Sequence, residues 1–460
     1  MTTAEFSSLP LLPVLLQSVE SLGYQQMTSI QQQSLPPMLA GKDVLAKAKT
    51  GSGKTAAFGL ALLSQIDPLL YKPQALVLCP TRELAEQVSK EIRALARFMA
   101  NIKLLTLCGG SPIIHQINSL EQAPHIVVGT PGRVLDHLNR NTLSVEGIKV
   151  LVLDEADRML DMGFEEDIHK IAKKTPTTRQ SLLFSATYPD AIHTMSQKIL
   201  QTPVVVTVES VDETNHIEQH FVEVAYSDKA IAVTKILAHY RPESTVIFCN
   251  TKADCNELTQ HLRSKGFDVL TLHGDLEQRD REQVLLRFAN KSCPVLVATD
   301  VAARGLDIKE LSAVINFELA YDPEVHVHRI GRTGRAGNQG LAFSLCAPKE
   351  APRVVAIEEY QKIKVNWLDL NELHTPVVAS LKATMVTICI EGGRKDKLRP
   401  TDILGALTGE GGLAGADVGK IDIFDIRAYV AVKSHVAPKA LKRLQAGQIK
   451  GRRFRVTKVG

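Results

Sequence analysis

Short apolar runs recur along the first 370 positions, and polar stretches with apolar residues at helical spacing separate them. The runs in the first half occupy residues 44–46, 75–78, 126–128, 150–153 and 182–184. Those in the second half occupy residues 245–248, 269–272, 295–298 and 313–316. Strands that alternate with helices indicate parallel sheets with crossover helices. The polar stretch 209–215 between the two sets predicts two α/β domains joined by a linker.

Beyond residue 380 the pattern changes to short elements of mixed type. Predicted strands occupy residues 385–390, 419–423, 428–432 and 453–458, and predicted helices occupy residues 401–407 and 438–445. The order βαββαβ is that of a ferredoxin-like α+β sandwich, which RNA-recognition modules use. The expected organisation is a first domain (1–208), a linker (209–216), a second domain (217–371), a linker (372–380) and an RRM-type module (381–460).

The net charge of +4 conceals an uneven distribution along the chain. Residues 380–460 hold 16 Lys and Arg against 7 Asp and Glu, a net charge of +9, whereas residues 1–379 carry a net charge of −5. A basic module attached to a mildly acidic body indicates that the module has a polyanionic partner.

Length and composition narrow the class of protein further. A chain of 460 residues is too long for a single core. No apolar run is long enough to cross a bilayer, and the N-terminal residues lack the basic region of a signal peptide. The seven cysteines form no CxxC pair, which favours reduced core residues over a zinc site. We therefore expect a cytoplasmic protein that is not associated with a membrane.

Two motifs predict a magnesium–nucleotide site. A glycine-rich segment over residues 48–55 follows one apolar run, and Asp154-Glu-Ala-Asp157 follows another. Glycines let backbone N–H groups approach phosphates, and the motif's lysine and last threonine can reach the β- and γ-phosphates and Mg²⁺. We assign Asp154 to magnesium and Glu155 to the attacking water, whereas Asp157 also suits a helix start. The residues expected around the phosphates are Ala48, Thr50, Gly51, Ser52, Gly53, Lys54 and Thr55, with Thr55 also a magnesium ligand.

Hydrolysis also needs positive charge at the γ-phosphate. The segment His328-Arg-Ile-Gly-Arg-Thr-Gly-Arg335 in the second predicted domain offers it, with Arg332 and Arg335 as candidates. An arginine supplied across a domain cleft acts only when the cleft is closed, so closure would gate the chemistry. The alternative is a solvated basic turn, although three arginines beside two glycines exceed what such a turn needs.

These motifs, with Gly23-Tyr-Gln-Gln-Met-Thr-Ser-Ile-Gln31, make the first 370 residues resemble the DEAD-box RNA helicases. The resemblance implies two RecA-like domains, ATP with Mg²⁺ as cofactors, and RNA as substrate. It implies that Gln31, with Phe6 upstream, recognises adenine and that Asp307 holds the ribose. The family usually has prolines where Met27 and Ser29 stand. This departure affects the expected rigidity of the turn and not the expected role of Gln31.

The resemblance also assigns residues that couple the ATP state to unwinding. These are Asp157, Ser185, Thr187, His328 and Arg329, and Arg329 is expected to tie several motifs together. It further assigns residues that contact RNA: Pro80, Thr81, Arg82, Gly109, Gly110, Thr130, Pro131, Gly132, Arg133, Asn250, Thr251, Gly274, Arg281 and Thr299. Most of them are small or polar groups, which suit phosphates and sugars and carry no sequence preference. In isolation, a plain turn is the favoured interpretation of Gly109-Gly110, and a plain helix start that of Thr130-Pro131, since such turns are common.

The basic tail lacks most of the aromatic residues with which RNA-recognition modules stack bases. Its first predicted strand has none, and Tyr429 in the third could be a core residue. Basic residues are the alternative means of binding RNA, namely Arg394, Lys395, Lys397, Lys433, Arg452 and Arg453. A solvated charged face is the competing interpretation.

The length and the appended module resemble one bacterial branch of the family. This resemblance implies a hairpin of large-subunit (23S) ribosomal RNA near the peptidyl-transferase centre as target, together with the adjacent duplex. It also implies pre-ribosomal particles as partners and local duplex unwinding during large-subunit assembly. We expect a monomer. Three alternatives stay open: an ATP- and RNA-binding clamp with little turnover, a DNA helicase, and a tail that dimerises.

Overall fold

The computed structural model describes residues 5–48, 51–188, 190–208, 216–303, 311–334, 339–374 and 380–459. They form two compact units, the first comprising the described residues up to position 208 and the second those from position 216 onward. Every helix in these ranges is too short or too polar to cross a membrane. All seven cysteines are free and buried, as expected of reduced core residues.

Parallel strands form the sheet of the first unit. They are β1 (Val44–Lys47), β2 (Ala75–Leu78), β3 (Leu104–Leu107), β4 (Ile126–Gly129), β5 (Val150–Leu153), β6 (Gln180–Ser185) and β7 (Val204–Thr207). Their order is β3-β4-β2-β5-β6-β1-β7. Successive residues of a strand point to opposite faces, so Val44 and Ala46 belong to one hydrophobic cluster and Leu45 to another. Burial on both faces explains the continuous apolar runs.

Helices cover both faces of this sheet. They are α1 (Pro13–Ser21), α2 (Ser29–Leu39), α3 (Lys54–Leu63), α4 (Arg82–Leu95), α5 (Ile113–Leu120), α6 (Pro131–Asn139), α7 (Ala156–Asp161), α8 (Glu165–Lys174) and α9 (Asp190–Ile199). Helix α4 shows the amphipathic pattern clearly, because Leu84, Val88, Ile92 and Leu95 recur at helical spacing and are all buried.

The second unit contains another parallel sheet, with β8 (Ile217–Glu223), β9 (Thr245–Cys249), β10 (Val269–Leu272), β11 (Val295–Thr299), β12 (Ala313–Asn316) and β13 (Gly340–Cys346). The order is β10-β11-β9-β12-β13-β8. Its helices are α10 (Lys229–Tyr240), α11 (Lys252–Ser264), α12 (Gln278–Ala289), α13 (Asp300–Ala303), α14 (Pro323–Ile330) and α15 (Ala351–Gln361).

The tail forms a small antiparallel sheet with two helices. Its elements are β14 (Met385–Ile390), α16 (Pro400–Thr408), β15 (Val418–Ile423), β16 (Ala428–Lys433), α17 (Ala437–Ala446) and β17 (Val456–Lys458). The strand order β15-β16-β14-β17 and the chain order βαββαβ are those of the predicted sandwich. The last strand begins at Val456, whereas position 453 was predicted, since Arg452 still belongs to a turn that pairs with Ile449.

The predicted strands of both parallel sheets are present, but β3, β7, β8 and β13 were not predicted. The edge strand β3 is only partly buried over its first three residues, and in the edge strand β7 only Val206 is buried. Strands β3, β7 and β8 lie at sheet edges, where a strand need not be apolar on both faces, although residues 204–206 of β7 form a short apolar run that the prediction passed over. Strand β13 lies between β12 and β8, and Ser344 interrupts its apolar residues.

Candidate nucleotide and RNA sites

Apart from Phe6 and Gln31, the candidate residues of the first unit follow the carboxyl ends of its parallel strands. The phosphate loop follows β1, Asp154 follows β5, and Ser185 ends β6. These three strands are neighbours in the sheet. The candidate RNA residues follow β2, β3 and β4, which form the other part of the same edge. The sheet therefore places the nucleotide and RNA candidates side by side along one edge, where open α/β sheets bind ligands.

The phosphate loop is bonded to the candidate adenine residue. Gly53 caps α3 with a φ of 91°, a conformation that favours glycine. Its carbonyl accepts the Gln31 amide at 3.1 Å, and the oxygen of that amide accepts the N–H of Thr28 at 2.9 Å. A Cβ on Gly53 would lie 2.6 Å from Gln31 Nε2. The loop and the segment before α2 are thus one hydrogen-bonded assembly.

Lys54 is buried and forms an ion pair with the carboxylates after β5. Its ammonium nitrogen is 2.9 Å from Asp154 Oδ1 and 3.9 Å from Glu155 Oε1. Burial lowers the pKa of Lys54, but attraction to Asp154 and Glu155 outweighs burial and leaves that pKa raised. Burial raises the pKa of Asp154, and the Lys54 ammonium opposes the rise. Lys54 therefore stays charged where phosphates are expected.

Glu155 has a strained backbone and an unpredicted partner. Its φ of 54° and ψ of 53° are left-handed, which is uncommon for a residue other than glycine and typical of functional sites. Its Oε2 lies 3.1 Å from the guanidinium of Arg158. The sequence analysis did not identify Arg158 as a partner. Its position three residues after Glu155, at the start of α7, nevertheless predicts that the two side chains are close.

Asp157 connects the carboxylate motif to the segment after β6. Its Oδ2 accepts the N–H groups of Ala186 at 3.1 Å and Thr187 at 3.0 Å, while its Oδ1 accepts the N–H of Arg158. The Ser185 hydroxyl donates to the Thr187 carbonyl at 2.7 Å. The helix-start interpretation and the coupling interpretation of Asp157 are thus compatible, because each uses a different oxygen.

The donors near Lys54 fit a magnesium ion that is shared with phosphates. Magnesium in nucleotide sites is usually held by one or two carboxylates, substrate phosphates and water. Asp154 offers a fully buried carboxylate, and Thr55 lies in the first turn of α3. Within the described ranges no group of three or more His, Cys, Asp or Glu could hold a metal by itself. A site completed by substrate oxygens is consistent with that donor set.

The RNA candidates of the first unit occupy helix starts and turns. Thr81 precedes α4, and its hydroxyl accepts the N–H of Leu84 at 3.2 Å. Thr130 and Pro131 begin α6. Arg133 donates to the Ser111 carbonyl at 3.2 Å and to the Gln116 amide oxygen at 3.0 Å. The remaining candidates lie before helix α4 (Pro80), in the first turns of α4 and α6 (Arg82 and Gly132), and in the turn after β3 (Gly109 and Gly110). Phe6 is buried within the hydrophobic core of this unit.

Arg329 in the second unit forms hydrogen bonds with four other residues, and only 2% of its surface is exposed. Its guanidinium donates to both carboxylate oxygens of Asp300, at 2.7 and 2.6 Å. It also donates to the side-chain oxygens of Asn250 at 2.8 Å and Asn316 at 3.3 Å, and to the Glu318 carbonyl at 2.7 Å. That Arg329 ties motifs together stays a prediction, and these hydrogen bonds support it. Asp300, Asn316 and Glu318 were not assigned from the sequence.

Some of the other candidates of this unit follow parallel strands, and the rest lie in helices or after them. Thr251 caps α11, and its hydroxyl accepts the Asp254 N–H at 3.1 Å. Arg281 donates to the Ala302 carbonyl at 2.8 Å. Gly274 follows β10 by two residues, Thr299 ends β11, His328 lies in α14, and Arg332 is the second residue after that helix. Thr50, Asp307 and Arg335 lie outside the described residues.

An aromatic pair marks one end of the tail sheet. Phe424 is 51% exposed, and its ring meets that of Tyr429 edge-on at 5.7 Å. Tyr429 is half-buried, and this burial raises the pKa of its hydroxyl. The nearby Arg394 N–H donates to the Phe424 carbonyl at 2.8 Å. Phe424 was missed because it precedes the predicted strand. The exposed basic candidates are Arg394, Lys395, Lys397, Lys433, Arg452 and Arg453.

Fold and site together define a nucleotide-dependent enzyme with a separate basic module. Family models match three parts of the chain: the DEAD/DEAH box helicase at residues 28–195, the helicase conserved C-terminal domain at 228–337, and the DbpA RNA binding domain at 387–458. The chain belongs to the DEAD-box family of ATP-dependent RNA helicases.

Relatives and a solved structure agree with this assignment. The chain is 56% identical to the ATP-dependent RNA helicase DbpA of Escherichia coli (strain K12), over 98% of both chains. It is 39% identical to the Bacillus subtilis (strain 168) helicase of that name, over 96% of this chain and 97% of the relative. Saccharomyces cerevisiae Dbp5 bound to RNA and ADP BeF3 is similar in structure, with a TM-score of 0.72 at 32% identity over 80% of this chain and 96% of Dbp5.

Proposed function

We propose that this helicase unwinds short RNA duplexes beside a hairpin of large-subunit (23S) ribosomal RNA. In this proposal its tail binds that hairpin, and its activity serves assembly of the large ribosomal subunit in the cytoplasm, on pre-ribosomal particles. The observation that carries the targeting proposal is the aromatic and basic end of the tail sheet, where Phe424, Tyr429 and Arg394 lie together. The match to a DbpA RNA binding domain supports it.

The proposed division of labour follows three parts of the chain. Residues 1–208 bind ATP and RNA, residues 217–371 supply the second half of the helicase, and residues 381–460 recognise the target, with linkers at 209–216 and 372–380. The two parallel sheets and the antiparallel tail sheet support this division.

In the ATP site, the chain's own groups orient and neutralise the triphosphate. Backbone N–H groups of the phosphate loop and the Lys54 ammonium bind phosphate oxygens. Asp154 and Thr55 hold Mg²⁺, which when bound shields charge between the phosphates. Glu155 orients the attacking water, and Arg332 and Arg335 neutralise charge at the γ-phosphate. Gln31 recognises adenine, and Asp307 holds the ribose.

Coupling to RNA follows from shared hydrogen bonds. Asp157 accepts N–H groups of the segment after β6, so that a shift of the carboxylate motif is transmitted to Thr187. Arg329 joins Asp300 and Asn250, which follow two neighbouring strands. Small polar side chains and backbone groups bind the phosphates and sugars of RNA without sequence preference. Selectivity is therefore assigned to the tail.

Replacement of an aromatic residue in the tail tests the targeting proposal. We expect Phe424→Ala to weaken binding of the ribosomal hairpin by about 1–3 kcal/mol, the usual value of one base–aromatic stack. Leu404→Ala is the matched control, since Leu404 is exposed on α16 of the same module. Titrations of each variant with the labelled ribosomal hairpin and with an unrelated hairpin measure these affinities. Equal losses in the two variants, or equal affinity for the two hairpins, would discard the targeting proposal and keep the helicase.

A further inference from the structure

A buried glutamine connects two groups of RNA candidates in the first unit. Gln116 belongs to α5 and is only 8% exposed, although glutamine is mostly a surface residue. One group lies in the glycine turn (residues 109–111) after β3, and the other lies in the start of α6 (residues 130–133) after β4. These two strands are neighbours in the sheet. A buried polar side chain needs hydrogen-bond partners, and Gln116 finds them in both segments.

The amide nitrogen of Gln116 holds both ends of the glycine turn. It donates to the Cys108 carbonyl at 2.9 Å, just before the turn, and to the Ser111 hydroxyl at 3.0 Å, at the last residue of the turn. Gly109 and Gly110 between these points are exposed, and Gly110 has a φ of 80°, which favours glycine. The turn is therefore fixed from the protein side while its two glycines remain accessible.

The amide oxygen of Gln116 binds α6. It accepts one hydrogen bond from the Arg133 guanidinium at 3.0 Å and another from Nε2 of His137 at 3.0 Å. The same Arg133 nitrogen donates to the Ser111 carbonyl at 3.2 Å. A guanidinium can only donate, so the Gln116 amide cannot turn over without losing bonds on both sides. Its two hydrogens and its two lone pairs are all used, which favours one mutual arrangement of the two segments.

His137 completes this network in one tautomer. The residue is fully buried, and burial lowers its pKa, with a further decrease from the positive charge of Arg133. The neutral form of the ring is thereby favoured. Because Nε2 donates to Gln116, the other ring nitrogen is an acceptor for the Thr142 hydroxyl, which lies 2.8 Å away. Hydrogen bonds at both ring nitrogens therefore fix the side chain through which α6 contacts Gln116.

We propose that Gln116 is a positioning residue for RNA binding, which sets the placement of the glycine turn relative to the start of α6. The proposal rests on the proposed RNA contacts of these two segments. Hydrogen bonds to phosphates and sugars weaken steeply when they are bent, so a small shift of one segment loses contacts. The phosphate loop and Asp154 follow β1 and β5 in the other part of the sheet edge, so ATP binding does not depend on Gln116.

Gln116→Met tests this role, because methionine has a similar length and lacks the amide. We expect the concentration of single-stranded oligouridylate that half-saturates ATP hydrolysis by the intact chain to rise about tenfold. The maximal rate and the ATP affinity should change less than about twofold, since neither depends on RNA affinity. Asn118→Met, at an exposed position of the same helix, is the matched control and should behave like the parent. An unchanged half-saturating concentration, or an equal loss of ATP affinity, overturns the proposal.

A second variant gives the answer if methionine prevents folding. Gln116→Glu keeps the acceptor for Arg133 and His137, but it places a carboxylate oxygen against the Cys108 carbonyl. The half-saturating RNA concentration should therefore rise at least about threefold while ATP affinity stays that of the parent. A parent-like response of Gln116→Glu to RNA overturns the link to the glycine turn.

A double variant tests whether Gln116 acts through the start of α6. Residues in one hydrogen-bond network give non-additive effects, so Gln116→Met combined with Arg133→Ala should raise the half-saturating concentration by less than the product of the two single increases. An increase equal to that product overturns the proposal. If hydrolysis by the parent does not respond to RNA, the function proposal fails and this one with it. If the parent responds and both Gln116 variants respond like it, only the positioning role fails.

Discussion

The Asp157 carboxylate accepts the backbone N–H of Thr187 at 3.0 Å and thereby joins two segments 30 residues apart in sequence. The same oxygen accepts the Ala186 N–H, whereas the other oxygen binds within α7. Two neighbouring strands, β5 and β6, are thus linked at their ends by one side chain. In the proposed mechanism, ATP-dependent movement of the carboxylate motif would reach the segment after β6 by this route.

Asp157→Asn should separate hydrolysis from unwinding. An amide offers one acceptor oxygen in place of two, and its NH₂ group faces backbone donors if it is turned the other way. We expect duplex unwinding to fall about tenfold or more while RNA-stimulated hydrolysis falls less. Parallel hydrolysis and strand-displacement assays measure the ratio. Asp190→Asn, at the exposed start of α9, is the control. Equal losses of both activities would contradict a coupling role.

Gly53→Ala should damage the nucleotide site through contact with Gln31. The left-handed backbone alone costs an alanine ~1–2 kcal/mol, and the added Cβ would lie 2.6 Å from Gln31 Nε2. Gly163→Ala controls for backbone strain, because Gly163 has a φ of 78° and a methyl group added there would meet no neighbouring side chain or backbone within 4 Å. We expect weaker ATP binding, measured by nucleotide fluorescence titration, in Gly53→Ala alone. Normal ATP affinity in that variant would show that the loop and Gln31 are independent.

Glu155→Gln should abolish turnover while sparing ATP binding. Glutamine preserves the shape of the side chain but cannot accept a proton from water, and general bases contribute about 10²- to 10⁴-fold. The variant also loses the charge that pairs with Arg158. Single-turnover hydrolysis and ATP affinity are the two measurements, with the exposed Glu166→Gln as control. If Glu155→Gln hydrolysed ATP at the wild-type rate, Glu155 would have no role in the chemical step.

Arg329→Lys should destabilise the second unit and weaken RNA-dependent activity. A lysine cannot make the two parallel bonds to Asp300 while also reaching Asn250 and the Glu318 carbonyl. Loss of hydrogen bonds to a buried charged group costs about 2–3 kcal/mol. Chemical denaturation should show this loss, whereas Arg353→Lys, a more exposed residue of the same unit, should change stability far less. Similar stability changes in the two variants would argue against a special role for Arg329.

Much of the architecture follows from apolar runs, since buried parallel strands such as β5 are apolar on both faces. Edge strands, and side-chain partners that are distant in sequence, were not predicted in this way. The pairing of Arg329 with Asp300 and the hydrogen bond from Thr187 to Asp157 both depend on which strands are neighbours in a sheet. Neither relationship has a local signature. Arg158 and Phe424 were predictable in principle, the first from helical spacing and the second from its place beside a predicted strand.

The most direct test of targeted, RNA-dependent hydrolysis is to measure ATP turnover by the intact chain without nucleic acid, with generic RNA, with a large-subunit ribosomal RNA hairpin fragment and with matched DNA. We predict strong stimulation by the ribosomal fragment, weak stimulation by generic RNA and none by DNA. Equal stimulation by every RNA would contradict targeting by the tail, and no stimulation by any of them would contradict the helicase mechanism itself and favour a passive clamp.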